Sequence, residues 1–201
     1  MNEKVRLLFQ LFFSIELVEV FALSQNTIMK KLLFPVFFIG TIAMIFVMSM
    51  TGATLKTPAT PHGILDLEFA YDAAKTSAVM NAWAPVNGLD NIASAKTNTW
   101  FDFLFLFFYS IFLFLASKRI AKNIKGPVAR AGNIIATAAL FAGFLDVLEN
   151  TGMLISLGGH GSGTISFLTT FFSVIKWALA LIAVLYLLTG LLVLGWQKIK
   201  N

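Results

Sequence analysis

The chain contains no cysteine and only two histidines. The absence of cysteine excludes disulfides, thiol redox chemistry, iron–sulfur ligation and cysteine nucleophiles. His62 and His160 both lie outside the long apolar stretches. A haem held by two histidines inside a helical bundle is therefore excluded as well. We expect neither a cofactor nor a bound metal.

Charged residues are also scarce, at 12% of the 201 residues, whereas hydrophobic residues make up 58%. An ordinary soluble domain has about 25% charged residues. Roughly 20 consecutive apolar residues suffice to cross a bilayer core. Four stretches reach or approach that length, namely 32–50, 100–116, 134–157 and 165–196. The sequence predicts an all-α membrane protein, a four-transmembrane-helix bundle formed by one domain that covers residues 29–201.

Lysine and arginine cluster on one side of the predicted spans. They precede the first span, fill the loop between the second and third, and follow the fourth. Because basic loops stay in the cytoplasm, we expect both termini there, in a bacterial cytoplasmic (inner) membrane. This topology also explains the net charge of +5. The predicted partner is therefore the lipid bilayer and not a nucleic acid.

The first 28 residues have two interpretations. Residues 5–23 are apolar but carry Gln10, Glu16 and Glu19, which favours an amphipathic helix lying on the cytoplasmic face over a fifth span. Alternatively, Met29 followed by Lys30 and Lys31 is typical of a natural start, so that residues 1–28 would be an upstream mis-start.

The polar segment 52–98 is predicted to lie outside the cell. We expect Thr60 to cap an extracytoplasmic helix that runs from residue 63 to residue 84 and ends before Pro85. Its apolar face at helical spacing consists of Ile64, Leu67, Tyr71, Ala74, Ala78 and Ala82. Glu68 falls in the same arc, so it either points towards the bundle or is solvated on a surface helix.

Charged side chains in the middle of the last two spans are the strongest indication of a site. Asp146, Glu149 and Asn150 project to one side of the third span, which also carries small residues. Lys176 shares a face of the fourth span with small and hydroxyl-bearing residues. Counted from the connecting loop, Lys176 and Asp146 lie some 15 Å deep, since a helix rises 1.5 Å per residue. An antiparallel hairpin would bring them level.

Two side chains of the second span complete the predicted site. Asp102 and Tyr109 are seven residues apart and therefore share a helix face. We expect a polar, mostly acidic ligand-binding pocket in the outer half of the bundle, formed by Glu68, Asp102, Tyr109, Asp146, Glu149, Asn150 and Lys176.

The carboxyl groups of this pocket outnumber its one ammonium group. Like charges in a low-dielectric interior cannot all remain ionised. At least one carboxyl must be protonated, or a cation must be bound. Such a cluster suits proton-coupled binding or transport, and a purely structural hydrogen-bond network would have the same composition.

Three segments, 63–70 (GILDLEFA), 101–105 (FDFLF) and 142–150 (AGFLDVLEN), together resemble an uncharacterised family of small bacterial four-span membrane proteins. The resemblance implies the same topology and singles out Glu68, Asp102, Asp146, Glu149 and Asn150. It implies no activity.

Three functions remain open from the sequence. The first is binding or transport of a small ligand, a cation or a lipid headgroup in the acidic pocket. The second is an accessory or assembly subunit of a membrane complex, in which the buried charges form a structural network. The third is a membrane enzyme that modifies lipids. Oligomers or complexes are compatible with all three.

Overall fold

A computed structural model describes residues 27–85 and 89–200. Four of its helices are long and apolar enough to cross a membrane, which confirms the prediction of an all-α chain with four such helices. The helices of the described residues are α1 (Thr27–Thr51), α2 (Ile64–Glu68), α3 (Ala73–Ala82), α4 (Asn91–Asn123), α5 (Pro127–Ile155) and α6 (Gly163–Lys200). The predicted amphipathic helix at 5–23 lies outside the described residues.

Local sequence signals set the ends of the long helices. The Asp90 carboxylate accepts a hydrogen bond from the Ala93 amide and caps α4. Gly126, with a φ of 81°, precedes Pro127 at the first turn of α5, where the missing proline amide costs nothing. A wide turn, Ser156–His160, contains Gly159 at a φ of 84° and reverses the chain into α6.

Helix α4 is the centre of the bundle. It packs against α1, α5 and α6, while α5 also packs along α6. Small residues permit these close approaches. Gly143 of α5 lies directly against Ser110 of α4, and Gly152 lies against Thr169 of α6. The small-residue faces that the sequence places beside Asp146 and Lys176 therefore point into the bundle.

Helix α1 is held differently, chiefly by aromatic rings on α4. Phe34 lies 5.7 Å from Phe112 between ring centroids, and Phe37 lies 5.8 Å from Phe108. The α1 residues Ile39, Ile42 and Phe46 expose between 41% and 66% of their surface. Much of α1 therefore has no protein neighbour among the described residues.

The prediction of one helix over residues 63–84 is wrong. Helix α2 ends at Glu68, where the Phe69 amide bonds to the Leu65 carbonyl. Asp72 then caps a new helix by accepting from the Lys75 amide at 2.7 Å, so α3 starts as a separate helix. As a result Tyr71 is exposed, as are Ala74 and Ala78, although the continuous helix would have buried them.

Thr60 does not cap a helix either, because Gly63 is the residue before α2. The Thr60 hydroxyl instead donates to the Leu55 carbonyl at 2.8 Å and accepts from the Trp83 indole at 3.0 Å. Trp83 is fully buried with Leu55 and Met153 in a small second core. The short helices thereby cover one end of the bundle. We call this end, with the turn Ser156–His160, the hairpin end, and the opposite end, which carries the loop 124–126, the basic end.

Gly143→Ala tests the close approach of α4 and α5. A Cβ at this position would lie 2.7 Å from the Ser110 Cβ, so the helices must separate. We expect a loss of about 1–3 kcal/mol in the free energy of unfolding, the usual cost of overpacking. Chemical unfolding in mild detergent measures it.

Gly195→Ala is the matched control, since nothing lies within 4 Å of its added Cβ. Ser110→Gly in the Gly143→Ala background removes the clashing atom and should restore part of the stability. Equal stabilities of Gly143→Ala and Gly195→Ala would contradict the packing described here.

Candidate functional site

Helices α5 and α6 bring Lys176 against two carboxylates. The Lys176 Nζ donates to Asp146 Oδ1 at 2.7 Å and to Glu149 Oε1 at 2.9 Å. Asp146 and Glu149 are three residues apart on one face of α5, so a single ammonium group reaches both. The prediction that Lys176 lies level with these two residues is confirmed.

Glu68 joins this group from α2. Its Oε2 lies 3.7 Å from Lys176 Nζ and accepts hydrogen bonds from the Ser173 hydroxyl at 3.2 Å and the Trp177 indole at 3.1 Å. The Thr170 hydroxyl donates to the Glu68 backbone carbonyl and fixes the end of α2 on α6. Of the two predicted placements of Glu68, the structure shows the one that points into the bundle.

Helix α4 supplies the remaining partners. The Tyr109 hydroxyl donates to Asp146 Oδ2 at 2.8 Å, and the Asn150 amide donates to Asp102 Oδ2 at 2.9 Å. All seven residues predicted from the sequence thus lie in one group of connected or adjacent side chains. We call the five ionisable members Glu68, Asp102, Asp146, Glu149 and Lys176 the acid–lysine cluster.

The acid–lysine cluster is buried. Glu149 has no exposed surface, and Asp102 and Lys176, the most exposed members, are each only 6% accessible. Four carboxyl groups face one ammonium group, so full ionisation would leave a net charge of −3. Burying unpaired charge costs several kcal/mol per ion. The cluster must therefore take up protons or a cation.

A cavity of about 420 Å³ reaches the cluster from the side of the bundle. It lies between α1 and α6, with α4 behind it and α2 at the hairpin end. We call it the lateral cavity. Its back wall carries Glu68, Asp102, Tyr109, Asp146 and Lys176, and its side walls are mainly apolar. The cavity thus leads between apolar side walls to the ionisable side chains of the back wall.

Glu149 and Asn150 do not line the lateral cavity, which divides the predicted site residues into two groups. Both are fully buried behind the wall, where Glu149 holds Lys176 and Asn150 holds Asp102. These two residues position the residues that the cavity exposes.

Several lining residues could not be found from the sequence. Thr41, Ile42 and Ile45 of α1 form a side wall, but an apolar residue that faces a cavity has no sequence signal that separates it from one that faces lipid. Ser173, three residues before Lys176, has a usable signal, because hydroxyl side chains one turn from a buried charge often bond to its partners.

The acidic side chains do not form a metal centre as they stand. Within residues 27–85 and 89–200, no group of three or more His, Cys, Asp and Glu residues could hold a metal ion. The Lys176 ammonium occupies the position between Asp146 and Glu149 that a cation would share.

Lys176→Met tests whether the ammonium group stabilises the cluster. Removing one partner of a buried ion pair leaves uncompensated charge, so we expect the free energy of unfolding to fall by about 3–5 kcal/mol. Denaturant unfolding in mild detergent measures the change. Lys75→Met, at an exposed lysine, is the control.

Adding Glu149→Gln to Lys176→Met removes one of the carboxyl groups left unpaired and should recover part of the loss. If Lys176→Met were as stable as Lys75→Met, the ion pairs described here would contribute nothing to folding.

Comparisons of this chain with protein-family models, with curated proteins and with solved structures found no match. The resemblance to small bacterial four-span membrane proteins therefore stays a prediction, and the function is argued from the site itself.

Proposed function

We propose that this protein lies in the bacterial cytoplasmic membrane and binds an amphiphilic cation in the lateral cavity. Lysine and arginine at the basic end support this orientation, with the hairpin end outside. The observation that best supports binding is a cavity with mainly apolar side walls and three carboxyl groups at its back.

The walls suit a hydrocarbon tail. Ile42 and Ile45 on α1 and Val184 on α6 line the cavity and are each between 39% and 48% exposed. In a bilayer these side chains would meet lipid, so the cavity would open sideways into the acyl-chain region. An amphiphile dissolved in the membrane would reach the cluster without crossing water.

The back wall suits a head group that donates hydrogen bonds. Within the described residues, Glu68 Oε1 and Asp102 Oδ1 accept no hydrogen bond from the protein, whereas the other oxygen of each carboxyl group does. The Lys176 ammonium is already engaged by Asp146 and Glu149. The cavity therefore offers free acceptors and no free cation, which favours an ammonium head over a phosphate or carboxylate.

Charge balance couples this binding to protons. A cation bound beside Asp102 would take over the compensation that a proton provides in the empty cluster. Binding would then release a proton and its reversal would take one up. By exchanging a proton for a cation in this way, the site can couple the transport of the two.

Asp102→Asn tests the proposal, with dodecylamine as the probe and dodecanoate as the oppositely charged probe of equal chain length. A hydrogen bond to a charged group contributes about 1.5–3 kcal/mol, so we expect dodecylamine affinity to fall by roughly tenfold or more. Equilibrium dialysis with the protein in lipid nanodiscs measures it. Dodecanoate should bind weakly to the wild type.

Glu149→Gln is the matched control, because it makes the same carboxyl-to-amide change behind the cavity wall. We expect a smaller loss there than for Asp102→Asn. Equal losses in both variants, or equal binding of the two probes, would refute a cation site in the lateral cavity.

A second function is favoured by one feature, which is that two side chains of this chain, Asp146 and Glu149, already engage Lys176. In this alternative the acid–lysine cluster is internal support, and the protein is an accessory or assembly subunit of a membrane complex.

Native mass spectrometry after mild solubilisation separates the two functions. A lone protein that carries a small molecule in the wild type, but not in Asp102→Asn, supports the binding site. A protein that arrives bare and together with other subunits supports the accessory role.

A further inference from the structure

A line of hydroxyl side chains connects the hairpin end with the acid–lysine cluster. Ser162, Ser166, Thr169 and Ser173 follow one another at intervals of three or four residues, and Lys176 continues the series. Residues at this spacing share a helix face, about 5–6 Å apart. We call these four hydroxyl residues the hydroxyl seam.

Three of the four seam residues lie inside the protein, whereas Ser162, just before α6, is exposed. Ser166, Thr169 and Ser173 of α6 are each at most 4% exposed. At the outer end of the buried part the Ser166 hydroxyl lies 2.7 Å from the Thr76 hydroxyl of α3, and at the inner end Ser173 donates to Glu68. Both ends of the buried part are thus tied to polar groups.

The middle of the seam contains a polar atom without a protein partner. Thr169 Oγ1 is buried and makes no hydrogen bond within the described residues. Gly152 of α5 leaves room for it, since a Cβ there would collide with this hydroxyl. Asn150 Oδ1, also on α5, is likewise buried without a hydrogen bond in the described part of the chain. Buried polar atoms are normally satisfied by protein or by ordered water.

The seam starts at a second cavity. A space of about 240 Å³ at the hairpin end is lined by Ser162 and Ser166 together with Thr76, Ser77 and Ser156. It is large enough for several water molecules, each of which takes about 30 Å³ in the liquid.

The path does not continue towards the basic end. Beyond Lys176 the buried residues of α6 are Ala183, Tyr186, Leu187 and Gly190. The one hydroxyl among them, that of Tyr186, donates to the Val128 carbonyl at 3.3 Å near the basic end. Beyond Tyr109, the two buried hydroxyls of the facing α4, Ser110 and Ser117, are seven residues apart, so about 10 Å of apolar helix separates them. One water molecule cannot bridge that distance.

We infer that water enters from the hairpin-end cavity and follows the hydroxyl seam to the acid–lysine cluster. A water molecule between successive hydroxyls completes a hydrogen-bonded chain, because neighbouring members are one helical turn apart. In this conformation the cluster exchanges protons with the hairpin end alone. The inference does not depend on what the lateral cavity binds.

Single cysteines placed in this naturally cysteine-free chain test the inference, since one thiol then gives the only S–H stretching band. Ser173→Cys lies in the seam, and Ala183→Cys lies on the same helix towards the basic end. Both positions are 0% exposed. After transfer of nanodiscs to D₂O, we expect the thiol of Ala183→Cys to exchange at least about tenfold more slowly than that of Ser173→Cys, because it needs local opening of a packed core.

Two further substitutions in the Ser173→Cys background identify the route. Thr169→Val removes a seam hydroxyl at similar volume and should slow the exchange, whereas Thr169→Ser should not. Thr41→Val changes the wall of the lateral cavity and should have no effect.

Equal rates in the two single-cysteine variants would overturn the inference, as would a Thr169→Val variant that exchanges like its parent. Slowing by Thr41→Val alone would assign the water to the lateral cavity instead. A failure of dodecylamine to bind would refute the proposed function and leave these rates unchanged.

Discussion

The structure depends on one electrostatic constraint, which is the burial of a single ammonium group among four carboxyl groups. Lys176 can be buried only because Asp146 and Glu149 bond to it directly, and they reach it only because α5 and α6 pack at close range. Small residues such as Gly152 permit this close packing. Helix α2 adds Glu68 from the hairpin end. The placement of these three helices thus follows from compensating one charge, and the surplus of carboxyl groups leaves negative charge that the ammonium group does not balance.

The bundle has two unlike halves, and the surplus of carboxyl groups lies in one of them. Towards the hairpin end, the interior contains hydroxyls, amides and carboxyls with two cavities beside them. Towards the basic end, the interior consists mainly of alanine, leucine and isoleucine packed around α4. A polar half needs partners for its buried groups, and an apolar half excludes water. Within the described residues, the buried carboxyl and ammonium groups therefore all lie in the half towards the hairpin end.

The sequence was sufficient to predict the four long helices and the meeting of Lys176 with Asp146, because helical rise alone places both residues at one depth. It was insufficient for the short helices, because a continuous apolar spacing concealed the stronger local signal of Asp72 as a helix cap. It was also insufficient for the lateral cavity. Ile42 and Ile45 are ordinary residues of an apolar span, and only the arrangement of α1 relative to α6 makes them line a cavity.

The short turn between α5 and α6 has a consequence for biogenesis. On its own, α5 would carry two carboxyl groups into the apolar core, and α6 would carry an ammonium group, each at a cost of about 2.5–3.5 kcal/mol per charge. The Ser156–His160 turn keeps the two helices adjacent from the moment both are synthesised. Their charges can neutralise each other during insertion, so the pair would enter the bilayer as one unit and offer α4 a finished surface on which to assemble.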